Sequence, residues 1–410
     1  MKTKITALII ILIFYTTACS HSVGPDPVPG DIVMTQKSAS LVKAGNTFTF
    51  NLLNKIPNSE GHNVMVSPLS ISLALSMTLN GADGTTKSGI INALGLDVLS
   101  VDEINQIYFD LVNALKKADS NVIMNIANSI WIRKSYPVLE PFIVVNQKYY
   151  DAEVQTLDFD QAALAIINSW VNEKTKAKIP KILDQISADE IMFLINAIYF
   201  NGKWKVQFEK SNSQNGSFSP ASGSNVTVPF MKINEQYGYS EQSGYRALKM
   251  PYGRGKFEMV LLLPDAGTSA DQLINQMNPA TWQGLKTALA TKTKVEVWLP
   301  RFKFTWESEL NDILSSLGMA VAFSRNDANF SKINANDQLF ITKVKHKTFI
   351  DVNEEGTEAA GVTSIGIGVT SAGPSSPQFH AVRPFLFFIA EEDTGAILFA
   401  GKVENPLLSN

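Results

Sequence analysis

Side chains able to carry chemistry are scarce in this sequence. It holds four histidines, His21, His62, His346 and His380, and one cysteine, Cys19. There is no H-E-x-x-H, no Cys/His metal spacing, no G-x-S-x-G elbow and no Walker loop, so the patterns for a zinc hydrolase, an α/β-hydrolase nucleophile and a phosphate cradle are missing. Gly253-Arg254-Gly255 lacks the third glycine and the helix context of a dinucleotide fingerprint. A Ser/His/Asp triad assembles in space, so ester turnover through His346 or His380 stays open as an alternative. The reading is that the protein is not an enzyme and uses no metal and no cofactor.

The unusual stretch is Asn353 to Gln378, "NEEGTEAAGVTSIGIGVTSAGPSSPQ". After Glu358 no Lys, Arg, Asp or Glu occurs until Arg383. No proline falls between Gly356 and Gly373, so nothing there blocks ladder hydrogen bonds, whereas Pro374 and Pro377 would end them. Read as a strand, one face carries the small residues Thr357, Ala359, Gly361 and Thr363; the other carries Glu358, Ala360, Val362 and Ser364, and its charge should prefer water. The segment can be an exposed loop or a strand in a sheet. A long surface loop is the plain alternative, but loops usually carry charge.

The surrounding elements are legible from their periodicity. Ser67 to Gly84 reads as a buried helix, with Ser67 as cap, Pro68 in the first helical position and Gly81 as stop. Ser100-Val101-Asp102-Glu103 is a capping box before a helical stripe from Ile104 to Leu115. "AALAIINSWVNEKT" and "ESELNDILSSLGM" read as helices. "VIMNIANSIWI" alternates as a strand, and Ile191 to Phe200 is apolar enough for a strand buried on both faces. "VTVPFMKIN", "YRALKMPY", "KFEMVLLLP", "TKVEVWLPRFKF" and "LFITKVKHKTFIDV" add strands, and two more join at Asp393-Thr394-Gly395. Helices dominate early and strands later, which is an α+β pattern.

Composition fits a folded chain. Of 410 residues 45% are hydrophobic and 18% charged, and the net charge is −3. No Lys/Arg run exceeds a pair, so neither nucleic acid nor a heparin-like polyanion is an expected partner. Lys2 and Lys4 precede an apolar run from Ile5 to Tyr15 that is short for a membrane span and fits a secretory signal. With Cys19 at the cleavage position, the start resembles a bacterial lipoprotein signal, residues 1–18. Residues 19–41, with Pro25, Pro27 and Pro29, read as a tether. From 42 to 410 the chain reads as one domain. The expectation is an exported monomer, lipid-anchored at Cys19 to the bacterial outer membrane on its periplasmic or cell-surface face.

Over about Val42 to Pro406 the sequence resembles the serpin family. "KTFIDVNEEGTEAAGVT" is similar to the serpin hinge, here Glu354, Gly356, Thr357, Glu358, Ala359, Ala360, Gly361, Val362 and Thr363. "NVMVSPLSISLALSMTLNGADGTT" resembles the shutter helix with Ser67 and Ser70. "INAIYFNGKWKVQF" resembles the central strand with Asn196, followed by Trp204 near the insertion point, and His346 matches the shutter histidine. "RPFLFFI" and "LFAGKVENP" match the C-terminal signature, with Val382 where Asp or Asn is commoner. The lipoprotein-like start narrows the similarity to bacterial serpins of the miropin type.

The resemblance implies a large mixed central sheet, two smaller sheets, a cluster of helices and a reactive-centre loop over about 356–378. It implies suicide inhibition of serine proteases, in which the cut loop enters the central sheet as a strand. Counting from Gly356 puts the reactive bond at Thr370–Ser371; counting back from the C-terminal signature lands near Gly373, and Val369–Thr370 is the neighbouring alternative. Small uncharged residues before the cut suit elastase-like or subtilisin-like pockets and disfavour trypsin-like enzymes. A non-inhibitory serpin, acting as a carrier or as a plain protease substrate, is the competing reading.

Overall fold

Local signals start most of the helices. In the computed structural model, which describes residues 30–56, 61–336, 338–358 and 376–409, Ser67 caps α2 (Pro68–Leu79) and Ser100 with Glu103 closes the expected capping box on α4 (Val101–Lys117). Capping boxes also begin α7 (Ala270–Gln276) and α8 (Pro279–Ala288). Asp160 caps α6 (Gln161–Lys174). Thr35 caps α1 (Gln36–Lys55), so helix begins inside the segment read as tether, and Leu41 is already core. Helices α3 (Gly84–Leu94) and α5 (Glu140–Tyr150) complete the N-terminal cluster.

Six strands form the sheet that matters for function, in the order β10-β11-β12-β4-β2-β3. These are β2 (Val122–Arg133), β3 (Ala152–Leu157), β4 (Met192–Lys203), β10 (Phe302–Glu309), β11 (Lys345–Asn353) and the two-residue β12 (Gly356–Thr357). Among the described residues of this sheet, only β2 and β3 pair in parallel. The other nine strands are hydrogen-bonded to one another: β1 (Val64–Val66), β5 (Gln214–Phe218), β6 (Val226–Gln242), β7 (Tyr245–Tyr252), β8 (Phe257–Pro264), β9 (Lys292–Pro300), β13 (Gln378–His380), β14 (Phe385–Glu391) and β15 (Ile397–Val403). The two smaller sheets of the expectation are thus continuous, because the long β6 pairs with β9 over one part and with β7 over another. The hairpin between β14 and β15 turns at Gly395, φ +68°. The class is α+β, as expected.

Four sequence expectations change. The run from Ser67 to Gly84 is not one helix: α2 ends at Leu79 with Asn80 as its cap, at the stop expected from Gly81, and α3 begins separately at Gly84. "ESELNDILSSLGM" gives its first residues to β10, whose ladder with β11 runs to Glu309, and only Asn311–Leu314 forms α9, followed by a π-turn over Ser315–Met319. Long-range pairing overrides local helical preference there. In "LFITKVKHKTFIDV" ladder pairing begins only at Lys345. Finally β4, read as buried on both faces, is only half-buried from Met192 to Asn196. Its edge away from β2 has a described strand partner only at Gly202 and Lys203.

The core lies between the sheets and under the helices, with Phe48, Phe257, Phe302 and Phe387 fully enclosed. A second cluster, including Trp131, Ile167 and Trp170, packs α6 onto the outer face of β2 and β4.

Candidate functional site

The hinge is held by its first residues. β12 is clamped between two long strands, Thr357 opposite Val352 on one side and Gly202 on the other, Gly356 opposite Asn353 and Lys203. Only glycine fits at 356: a Cβ there would lie 2.1 Å from the Gly202 carbonyl oxygen. Trp204 fixes the turn before it, its Nε1–H donating to the Asn353 carbonyl at 2.9 Å and its backbone N–H to Glu355 O at 2.9 Å. The Trp204 ring stacks on Tyr252 at 4.5 Å, and the Tyr252 hydroxyl meets Thr357 Oγ1 at 2.6 Å below the sheet.

Three glutamates frame the hinge. Glu354 is buried and accepts from Arg301 (Nε at 2.8 Å) and from Ser213 Oγ at 2.5 Å. Burial works to raise its pKa, but these bonds outweigh it and hold the carboxyl below its usual range. Glu355 pairs with Lys210 at 2.7 Å. Glu358 takes a left-handed turn, φ +57°, which for a non-glycine residue is a strained choice. The turn tucks its carboxylate inward: the side chain is 3% exposed and 3.8 Å from Lys178 Nζ, and Oε2 has no hydrogen bond among the described residues. Burial pushes its pKa up to about 7, with Lys178 opposing and Asp351 adding. The expected preference of this charge for water is therefore not met. The Glu358 N–H donates to Asp351 O at 2.7 Å, and its carbonyl accepts from Asn201 Nδ2. The backbone clamp overrides the side chain's hydration.

Below the hinge the sheet parts. A cavity of about 330 Å³ lies between β4 and residues 338–347. Ser70, Asn196 and His346 line it together, from α2, β4 and β11. Ser67 reaches the same cluster by donating its backbone N–H to His346 Nε2 at 2.9 Å, while its hydroxyl donates to Leu398 O at 2.8 Å. A histidine nitrogen that accepts belongs to a neutral ring, and burial lowers the His346 pKa to about 3. Asn196 Nδ2 donates to Asn128 Oδ1 at 2.7 Å, whereas Asn196 Oδ1 is buried without a hydrogen bond among the described residues. Trp204 is not part of this cluster but stands at the hinge.

His380 is remote from His346. It stacks on Trp298 at 4.2 Å and lies 3.2 Å from Glu296 in β9. The two histidines serve separate elements. Among the described residues no group of three His, Cys, Asp or Glu could hold a metal ion. Ala359, Ala360, Gly361, Val362 and Thr363 of the hinge, the bonds Val369–Thr370 and Thr370–Ser371, and Cys19 lie outside the described residues. Sequence reasoning missed Lys178, Asn201, Arg301 and Tyr252, which hold the hinge; they come from four distant segments, and only spatial assembly reveals them.

Comparison with known proteins gives the same picture. A family model described as Serpin (serine protease inhibitor) matches residues 43–406. An uncharacterized serpin-like protein of Methanosarcina acetivorans is 34% identical, the match covering 89% of this chain and 86% of that one. Serpin B6 of Macaca fascicularis is 34% identical over 89% of this chain and 99% of its own. Among solved structures, the thermophilic serpin tengpin in the native state superposes with a TM-score of 0.83 at 31% identity, covering 92% of this chain and 96% of its own.

Proposed function

This chain belongs to the serpin family, whose members generally act on target proteases as inhibitors rather than as catalysts, and from that premise we propose that it is a suicide-substrate inhibitor of serine proteases. One observation supports this above the rest. The six-stranded sheet is parted along β4 and residues 338–347, and β12 already occupies the upper end of the parting. Two strand edges facing one gap are a template for a further strand. The next residues in the chain are the small, uncharged ones after Glu358.

In this reading a protease attacks near Thr370–Ser371 or Val369–Thr370 and forms an acyl-enzyme. The freed loop then continues β12 down the gap. Fourteen residues at strand rise carry the acylated end about 45 Å. A dozen new backbone hydrogen bonds, each worth roughly 0.5–1.5 kcal/mol net, give on the order of 10 kcal/mol. That is comparable to the whole stability of a domain. Deacylation loses the race if insertion is fast. Small uncharged residues before the cut favour an elastase-like or subtilisin-like target. Lipidation at Cys19 would keep the inhibitor, as a monomer, at the bacterial outer membrane.

Incubation with pancreatic elastase tests the reading. The expected result is a covalent complex that survives SDS, and Thr357→Arg, which places a charge where Tyr252 now bonds Thr357, should turn the protein into a cleaved substrate. Cleavage products alone from the wild type, with elastase and with subtilisin, would instead assign it to the non-inhibitory members.

A further inference from the structure

The segment that carries the proposed reactive bond is held at two ends. β12 holds the first. The three-residue β13 holds the second, lying parallel to β9 at the edge of the nine-stranded sheet. Two backbone bonds flank β13: Glu296 N–H donates to Pro377 O at 2.9 Å, and Ala381 N–H donates to Trp298 O at 2.8 Å. Phe379 is fully buried in the core. His380 takes the opposite face, as strand alternation requires, and its ring stacks on Trp298 at 4.2 Å.

That outer face gathers cations around one carboxylate. Glu296 Oε1 accepts from Trp298 Nε1 at 2.9 Å and lies 3.2 Å from His380 Nε2. Lys232 Nζ of β6 stands 3.7 Å over the ring of the same Trp298. Arg246 of β7 donates to the Gln378 carbonyl at 3.4 Å. β13 lies against β9 and β7. The charged groups that face His380 from these strands and from β6 are Glu296, Lys232 and Arg246. We propose that His380 is a proton-operated latch on β13: the neutral ring keeps β13 on β9, and a proton on the ring loosens it, so that acid frees the C-terminal end of the loop.

A charged imidazole would add a third cation to a half-buried face whose one carboxylate already holds Trp298. Burial holds the His380 pKa below its ordinary value, Glu296 opposes, and Lys232 and Arg246 add to the lowering. For a lowered imidazole the contribution to stability is complete above 6.5 and is lost as pH falls below it. A short edge strand has few bonds, so one side chain carries a large share of its hold. The other end of the loop has the opposite sign. Glu358, faced by Lys178, Tyr199, Asp351 and Lys303, favours its neutral form, so acid settles β12. Acidification thus tightens one end and loosens the other. In the inhibitor reading above, this confines a correctly held loop to neutral and alkaline media. That consequence rests on the insertion reading, whereas the release of β13 does not.

Hydrogen exchange of the intact protein, expressed as protection at about pH 7.5 and about pH 5, tests the latch. Protection at the Ala381 and Glu296 amides should fall about tenfold in acid, while that at Thr357 and Glu358 holds or rises. His380→Gln, which stays polar but takes no charge, should show no such fall. Lys232→Met, which keeps an apolar stem over Trp298 but removes a cation, should show a smaller one. Unchanged wild-type protection at Ala381 and Glu296, or the wild-type fall in both variants, would overturn the latch. So would a parallel loss at Thr357 and Glu358, because the whole molecule would then be opening. Covalent trapping of elastase at about pH 7.5 reads the inhibitor function separately. Its absence would remove the consequence for inhibition and leave the latch to stand or fall on exchange alone.

Discussion

Thr357 and Glu358 are neighbours that the fold treats in opposite ways. Thr357 is satisfied below the sheet by Tyr252. Glu358 is a carboxylate in a site that favours its neutral form, with its pKa up at about 7. For a raised carboxyl the linkage sign is definite: its contribution to stability is complete below its ordinary pKa near 4.5 and is lost as pH rises through about 7. Thermal melts should therefore show the wild type losing stability relative to Glu358→Gln between pH 5 and pH 8. Parallel pH profiles for the two proteins would mean that the carboxylate is not held as described. The three hinge glutamates thus act differently, since Glu354 has Arg301 and Ser213 to keep it ionised.

At the scale of elements, β12 is the smallest strand in the sheet and the one on which the rest depends. Its position rests on Gly356 lying against β4, where a side chain would strike the Gly202 carbonyl. Gly356→Val should expel β12 from between β11 and β4. Hydrogen exchange should then speed at the Thr357 and Glu358 amides, and the quantum yield of Trp204, which bonds Asn353, should change. Retained protection at those amides would show that the clamp tolerates a side chain. β4 shows the complementary feature: its lower half is apolar yet half-exposed, since the parted edge leaves it without a neighbour over Met192 to Asn196.

For the molecule as a whole, the proposed insertion would fill a gap bordered by the edges of β4 and β11. Filling it would add ladder bonds and bury apolar residues of β4. If the reading above holds, cleavage in the loop should raise the melting temperature by roughly 20 °C, taking about 10 kcal/mol of gain and about 2 °C per kcal/mol for a large domain. Calorimetry of intact and nicked protein would measure this directly. Coincident melting would remove the driving force on which inhibition depends.

The amino-acid order by itself determined the α+β class, the cap positions of α2 and α4, the hairpin at Gly395 and the family resemblance, because each rests on local spacing. It also marked Ser70, Asn196 and His346, which line one cavity, and Ser67, whose backbone N–H bonds His346. What only the tertiary structure decided are relations between segments far apart in the chain: that Ile191 to Phe200 lies at an open edge, that Glu358 turns inward to Lys178, and that residues 175–191 reach across to Arg325, Lys343 and Lys345. An apolar run looks the same in sequence whether its neighbouring strand is present or absent, and an ion pair between residues 161 apart leaves no periodicity to read.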